Sequence, residues 1–367
     1  MLKPHRFSTV TTASQPAQNT SKYAAAAAGL LLSIFSTHAL SQSTQLGDVL
    51  ERQKLIIAAT PNNTTVFKAD GFMHGYGHDL SKALSDDLGV EVDFRIFSSQ
   101  ASALKAVKKG TADLALTTAS STALEELGLA PVDLTCGDSK SLYSNGLDAQ
   151  VNWSFADAAD PLAQRASTFA CSGEQVAINK KLASFYDQSL LKDSYNRSEF
   201  DKAMKQRLPA YQASFKNHAN LSQVDWQLLV AMGYQESHLK ADAVSPTGVR
   251  GLMMLTSATA RSLGVTDRVD PNQSIKGGAT YLRQMKQQFS DVPNPDRIWF
   301  SLAAYNMGPG AVKGIQKRLA AQGKDPNRWI NVYDYLTTNA SKNSRYRQCV
   351  HYVTRIRAYL ENLKQEA

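Results

Sequence analysis

At about Leu221 the pattern of the chain changes, and the two sides of that change call for two different architectures. On the amino-terminal side strand and helix signals alternate. Leu55-Ile56-Ile57-Ala58-Ala59 is a short apolar run with the character of a buried strand. Leu80, Leu84 and Leu88 recur at helical spacing, and Val90 through Ile96 alternates with period two. A second helix pattern runs through Ala103 to Lys108, and Ala112-Asp113-Leu114-Ala115-Leu116 follows as another strand. This order predicts an α/β sheet with covering helices. Residues 121–150, with Gly128, Pro131, Gly137 and Gly146, read as a loop-rich remnant, and helical segments run from about Val176 to Ala213.

Beyond Leu221 the chain is a string of helices with Gly/Pro punctuation. Ser222-Gln223-Val224-Asp225 fits a capping box, and Trp226, Leu229, Met232 or Gly233, and Glu236 fall on one side of the helix that follows. Asp270-Pro271 opens another helix, Ile298–Tyr305 forms an apolar one ended by Gly308-Pro309-Gly310, and Tyr352, Ile356 and Tyr359 mark the last. The fold class expected is therefore α/β followed by a mainly helical, all-α domain, and 367 residues give room for both cores.

The formal charge of +8 divides unevenly. Residues 1–41 carry three basic and no acidic side chains, residues 42–220 carry 18 basic and 21 acidic, and residues 221–367 carry 19 basic and 11 acidic. The positive charge is thus concentrated in the last part, which suggests an anionic partner there, although a solvated basic surface accounts for it equally well. At the amino end Lys3, Arg6 and Lys22 precede an apolar run from Tyr23 to Ala39, with small residues near Ala39 and Ser41. Residues 1–41 read as an export signal, with an uncleaved membrane anchor as the alternative. Export favours a cell-wall polymer or membrane surface as the partner over nucleic acid, and places the protein in the periplasm or cell envelope. Three pairings of Cys136, Cys171 and Cys349 are open, and the one within the first domain, Cys136 with Cys171, is favoured. No metal-ligand spacing is present, so neither a metal nor a cofactor is expected.

Glu236 ends a helical apolar stripe. A carboxyl group held against apolar side chains has its charged form disfavoured, so it keeps a proton near neutral pH and can give it to a leaving oxygen. The hairpin-like run Ser245–Met254 follows, and Ala303-Ala304-Tyr305-Asn306-Met307-Gly308-Pro309-Gly310 lies farther on. With Tyr234-Gln235-Glu236-Ser237-His238, Asp270–Ile275 and Gly278–Leu282, these motifs resemble lytic transglycosylases of the goose-lysozyme-like superfamily over residues 221–359. Residues 42–195 resemble the first lobe of a periplasmic solute-binding protein with its second lobe shortened, and 196–220 read as a helical connector.

The resemblance implies a lysozyme-like catalytic domain over 221–367 acting on peptidoglycan glycan strands. Glu236 would be its sole acid/base. It also implies substrate contacts from Ser245, Met253, Met254, Tyr305, Asn306 and Tyr352. Met254 stands where the family commonly has Gln, which removes a polar contact. Asp242 reads as a turn residue, and His238, two residues past Glu236, as a surface or lining residue. Hydrolytic goose-type muramidase action and catalytically silent murein binding stay open beside transglycosylase action. So do a muropeptide or small ligand at the first domain and association with outer-membrane or cell-wall machinery.

Overall fold

Lys54–Ala59 (β1) is the strand around which the first half of the chain is built. In this computed structural model, which describes residues 44–62 and 64–365, it is followed by β2 (Phe67–Ala69), β3 (Phe72–His74), β4 (Glu91–Ile96), β5 (Leu114–Thr117), β6 (Ala130–Asp133) and β7 (Asn152–Phe155). The export signal expected over residues 1–41 lies outside the described residues. β1 pairs in parallel with β4 and β5, β7 runs antiparallel between β5 and β6, and the order is β4-β1-β5-β7-β6. A strand with neighbours on both edges and cover on both faces has to be apolar along its length, as Leu55 to Ala59 is.

Side chains alternate across the sheet. Ala58 and Ala115 pack with Leu104 and Val107 of the Gln100–Lys108 helix. Leu55, Ile57 and Leu116 join the core that includes Leu80 and Leu84 of the Tyr76–Leu88 helix. The Asp113 carboxylate accepts the Ile56 amide proton at 2.7 Å and pairs with Arg52, fixing the start of the central strand.

Residues 121–150 are not the loop-rich remnant that their glycines suggested. They supply helices Ser121–Glu126 and Ser139–Ser144, and β6 lies between them. β7 then completes the same sheet. Pro131 sits within β6, where an edge strand tolerates the missing amide donor. Cys136 and Cys171 are disulfide-bonded, the pairing favoured from sequence, and Cys349 is buried and free.

The second half is helical, with its long helices at Trp226–Ser237, Pro271–Gln288, Arg297–Met307, Pro309–Ala321, Trp329–Asn339 and Ser344–Gln365. Asp270 caps the second of these by accepting the Gln273 amide proton at 2.7 Å, and Pro271 fills a first-turn position that needs no donor.

The described residues form one compact unit in which one hydrophobic core runs from the sheet into the helices. His74 of β3 meets the Trp299 ring edge-on at 5.1 Å, and Phe185 packs against Trp299, Trp329 and Tyr333 at 5.4, 5.9 and 5.2 Å. A buried ion pair adds a polar tie. Arg357 lies 2.7 Å from Glu361 on the C-terminal helix, while Gln188 donates to Glu361 and Arg357 donates to the Asp187 carbonyl. Among the described residues no helix is long and apolar enough to cross a membrane.

Candidate active site

The Trp226–Ser237 helix carries Glu236 in its last turn. The capping box expected at its start is not formed. Ser222 is the buried last residue of the preceding helix, and Asp225 itself is the cap, accepting the Gln227 amide proton at 2.9 Å. The helix is wrapped by protein, with Leu228 through Tyr234 all buried. Its C-terminal end is held to the following loop through Ser237, whose hydroxyl donates to the Leu252 carbonyl at 2.8 Å. The C-terminal helix lies alongside it. Tyr359 meets Tyr234 edge-on at 4.7 Å, and Gln227 donates to the Leu363 carbonyl at 2.6 Å.

Glu236 opens on a cleft of about 530 Å³. The cleft draws Ser245, Met254, Tyr305, Asn306 and Tyr352 together around it. The Tyr352 hydroxyl donates to Glu236 Oε1 at 2.7 Å. Burial raises the Glu236 pKa to about 8, and the Tyr352 hydrogen bond pulls in the opposite direction with the smaller effect. The carboxyl therefore holds its proton at neutral pH, as a sheltered acid at the end of an apolar helix was expected to do. Part of the residue's surface remains open to the cleft, so the proton can be delivered. Burial and the Glu236 charge push both Tyr305 and Tyr352 well above the ordinary phenol range, so both stay hydroxyl donors.

Tyr305 lies parallel to Tyr352, with ring centroids 6.4 Å apart, and donates to the Met253 carbonyl at 3.1 Å. The Asn306 amide forms no hydrogen bond among the described residues and so presents both its donor and its acceptor to the cleft. Ser245 both lines the cleft and shapes its loop, since Ser245 Oγ accepts the Val249 amide proton at 3.0 Å. The run from Ser245 to Met254 is a tight turn with isolated bridges at Val244–Arg250 and Arg250–Leu255, not a paired hairpin.

Met253 does not reach the cleft. Its side chain is fully buried, resting where a Cβ at Gly278 would come within 2.7 Å of its Cε, so it is core and contributes only backbone to the site. The neighbouring Met254 does line the cleft and holds a left-handed backbone with φ 46°, an uncommon state for a residue with a side chain. At Gly251, φ is 87° and a Cβ would lie 1.7 Å from the Arg268 carbonyl oxygen, so only glycine fits there. His238 is exposed, stacked on Tyr234 at 4.8 Å, and outside the cleft lining, and Asp242 is an exposed turn residue.

Sequence reasoning missed Gln348, His351 and Arg355, which line the cleft from the C-terminal helix together with Tyr352. Their spacings of three and four were readable around Tyr352, but nothing local says which face of that helix turns toward residue 236. Gln235, Thr247, Val249 and Thr256 also line the cleft and were not singled out.

Residues 213–327 match the family described as the transglycosylase SLT domain. This part of the chain is an SLT domain. It contains every cleft residue named from sequence except Tyr352. The chain is 45% identical over 174 residues to membrane-bound lytic murein transglycosylase F of Ectopseudomonas mendocina, covering 45% of this chain and 36% of that protein. It is 37% identical over 263 residues to the protein of the same name from Pseudomonas fluorescens, covering 63% and 53%. The chain thus spans about half or less of the length of these relatives. An inactive mutant of lytic transglycosylase Slt from Pseudomonas aeruginosa aligns at 21% identity over 63% of this chain and 38% of that one, with a TM-score of 0.35, too distant a likeness to carry an argument. The second alignment is longer than the SLT domain alone and so takes in part of the chain ahead of it.

Proposed function

We propose that the protein is a peptidoglycan lytic transglycosylase in which Glu236 is the single acid/base. The observation that carries this reading is the Glu236 carboxyl. It holds its proton up to about pH 8, accepts a hydrogen bond from Tyr352, and is the one carboxyl group lining the cleft among the described residues. Protonated Glu236 gives its proton to the oxygen bridging N-acetylmuramic acid and N-acetylglucosamine, and the C1–O bond breaks with the electron pair leaving on that oxygen. The resulting carboxylate takes the proton of the muramic C6 hydroxyl, whose oxygen closes on C1 and leaves a 1,6-anhydro end.

No water is activated in this sequence, so the second carboxylate that a hydrolase needs about 5–10 Å away has no task here. Tyr352 stabilises the carboxylate as it forms, because a hydrogen bond to a charged acceptor strengthens as the charge develops. Asn306 and Ser245, among the polar side chains of the cleft, would orient the sugars, and Met254 would offer them an apolar surface; their position on the cleft supports these roles.

The sheet half is read as a single solute-binding-type lobe. The parallel β4-β1-β5 core with helices on both faces supports that reading. Action on murein places the protein at the cell wall, outside the cytoplasm. Incubating purified sacculi with the protein and with Glu236→Gln tests the assignment. The expected result is release of soluble fragments by the first and none above background by the second, while equal release by both overturns it.

A further inference from the structure

The charge lining the cleft is lopsided. Besides Glu236, its charged or chargeable side chains are Arg355 and His351, both exposed on the C-terminal helix. Arg355 forms no hydrogen bond or ion pair among the described residues, and the Lys240 ammonium likewise has none. Of the basic side chains near His238, whose protonation is disfavoured first by burial and then by Lys240, Arg207 and Arg355, Arg355 is the one that lines the cleft. Arg207 is partly engaged, donating from Nε to the His238 carbonyl at 2.8 Å. Glu199 is the acid facing the same histidine, and it forms no ion pair with Arg355.

An unpaired guanidinium at the rim of a binding cleft does not stabilise the fold. Exposed in the cleft with no partner of its own, it is free to meet an anion from outside. A planar fork of donors is suited to a carboxylate.

We propose that Arg355 is a specificity-determining contact that binds a carboxylate carried by the muramyl residue of the glycan strand. This rests on the murein-cleaving function proposed above. Two sources share the chemistry, the lactyl carboxyl of a bare muramic acid and the carboxylates of a peptide stem attached to it.

The test is co-sedimentation of Glu236→Gln protein with sacculi, which reads binding without turnover, compared with the double variant Glu236→Gln/Arg355→Gln. Substrates are intact sacculi, sacculi stripped of stems by an amidase, and sacculi whose carboxylates are capped as neutral amides. The proposal expects Arg355→Gln to weaken binding about tenfold to murein with free carboxylates and not to capped murein. Arg355→Lys should recover part of the loss. A loss confined to intact sacculi, where the lactyl carboxyl is tied up in the amide bond to the peptide, identifies the stem. A loss confined to stripped sacculi, where that carboxyl is free, identifies the lactyl group, and a loss on both shows that Arg355 takes either carboxylate. Equal binding by both proteins on every substrate overturns the proposal, as does an Arg355→Gln loss that persists on capped murein. If the unsubstituted protein releases nothing from sacculi, the transglycosylase reading fails while these binding comparisons still decide the role of Arg355.

Discussion

The Tyr352 hydroxyl donates to Glu236 Oε1 across 2.7 Å, joining two helices that meet far apart in sequence. The phenol keeps its proton because its own pKa is driven well up, so it remains a donor whether the carboxyl is charged or neutral. The bond favours the charged carboxylate, which the reaction must form when the bridging oxygen is protonated.

Tyr352→Phe removes that donor and leaves the ring packing. We expect kcat to fall about 10- to 100-fold, the cost of one hydrogen bond to a charged group. The lost bond lowered the Glu236 pKa, so the alkaline limb of the activity profile should move to higher pH. A pH series of kcat/KM on soluble glycan strands checks both.

A raised carboxyl pKa also has a sign in stability. Glu236 binds its proton more tightly folded, near pH 8, than unfolded, near the ordinary 4.5. Between those values the folded state holds more protons, so the stability contributed by this group is complete below about pH 4.5 and is lost as pH rises through about 8. Glu236→Gln carries no charge at any pH. Relative to the unsubstituted protein its melting temperature should rise more at pH 8 than at pH 4, measured by thermal denaturation in matched buffers.

Much of this was legible in the sequence, and the failures share a cause. The apolar run at Leu55–Ala59 and the stripe ending at Glu236 announce a buried strand and a buried helix because their patterns are local. β6 and β7 are four residues each, one carries Pro131 and the other is buried on every side, so neither shows alternation. Their pairing exists only once β5 is in place. Ser222 and Asp225 satisfy a capping pattern, yet the previous helix runs through Ser222 and a shorter cap at Asp225 prevails. Met253 and Met254 are indistinguishable as letters. The turn at Gly251 sends one into the core beside Gly278 and leaves the other lining the cleft.

Arg357 and Glu361 are both fully buried and 2.7 Å apart, between the C-terminal helix and the segment carrying Asp187 and Gln188. Removing one partner strands a buried charge. Arg357→Met alone should cost about 3–5 kcal/mol of unfolding free energy. Arg357→Met combined with Glu361→Leu should cost less than the single change, and a double-mutant cycle by urea denaturation measures the difference.

The Cys136–Cys171 bond closes a loop with a sequence separation of 35. Replacing both cysteines by serine should lower unfolding free energy by about 3–4 kcal/mol through the greater freedom of the unfolded chain. The denaturation midpoint should shift accordingly. Cys349 is buried and takes no part in the bond, so Cys349→Ala should not reproduce the loss.

The central claim is that one carboxyl group both lends and recovers the proton, and the terminal sugar of the product tests it most directly. Sacculi digested by the protein and analysed by mass spectrometry should yield fragments ending in 1,6-anhydro-N-acetylmuramic acid, absent after digestion with Glu236→Gln. Fragments ending in a reducing sugar, heavier by one water, would contradict the account.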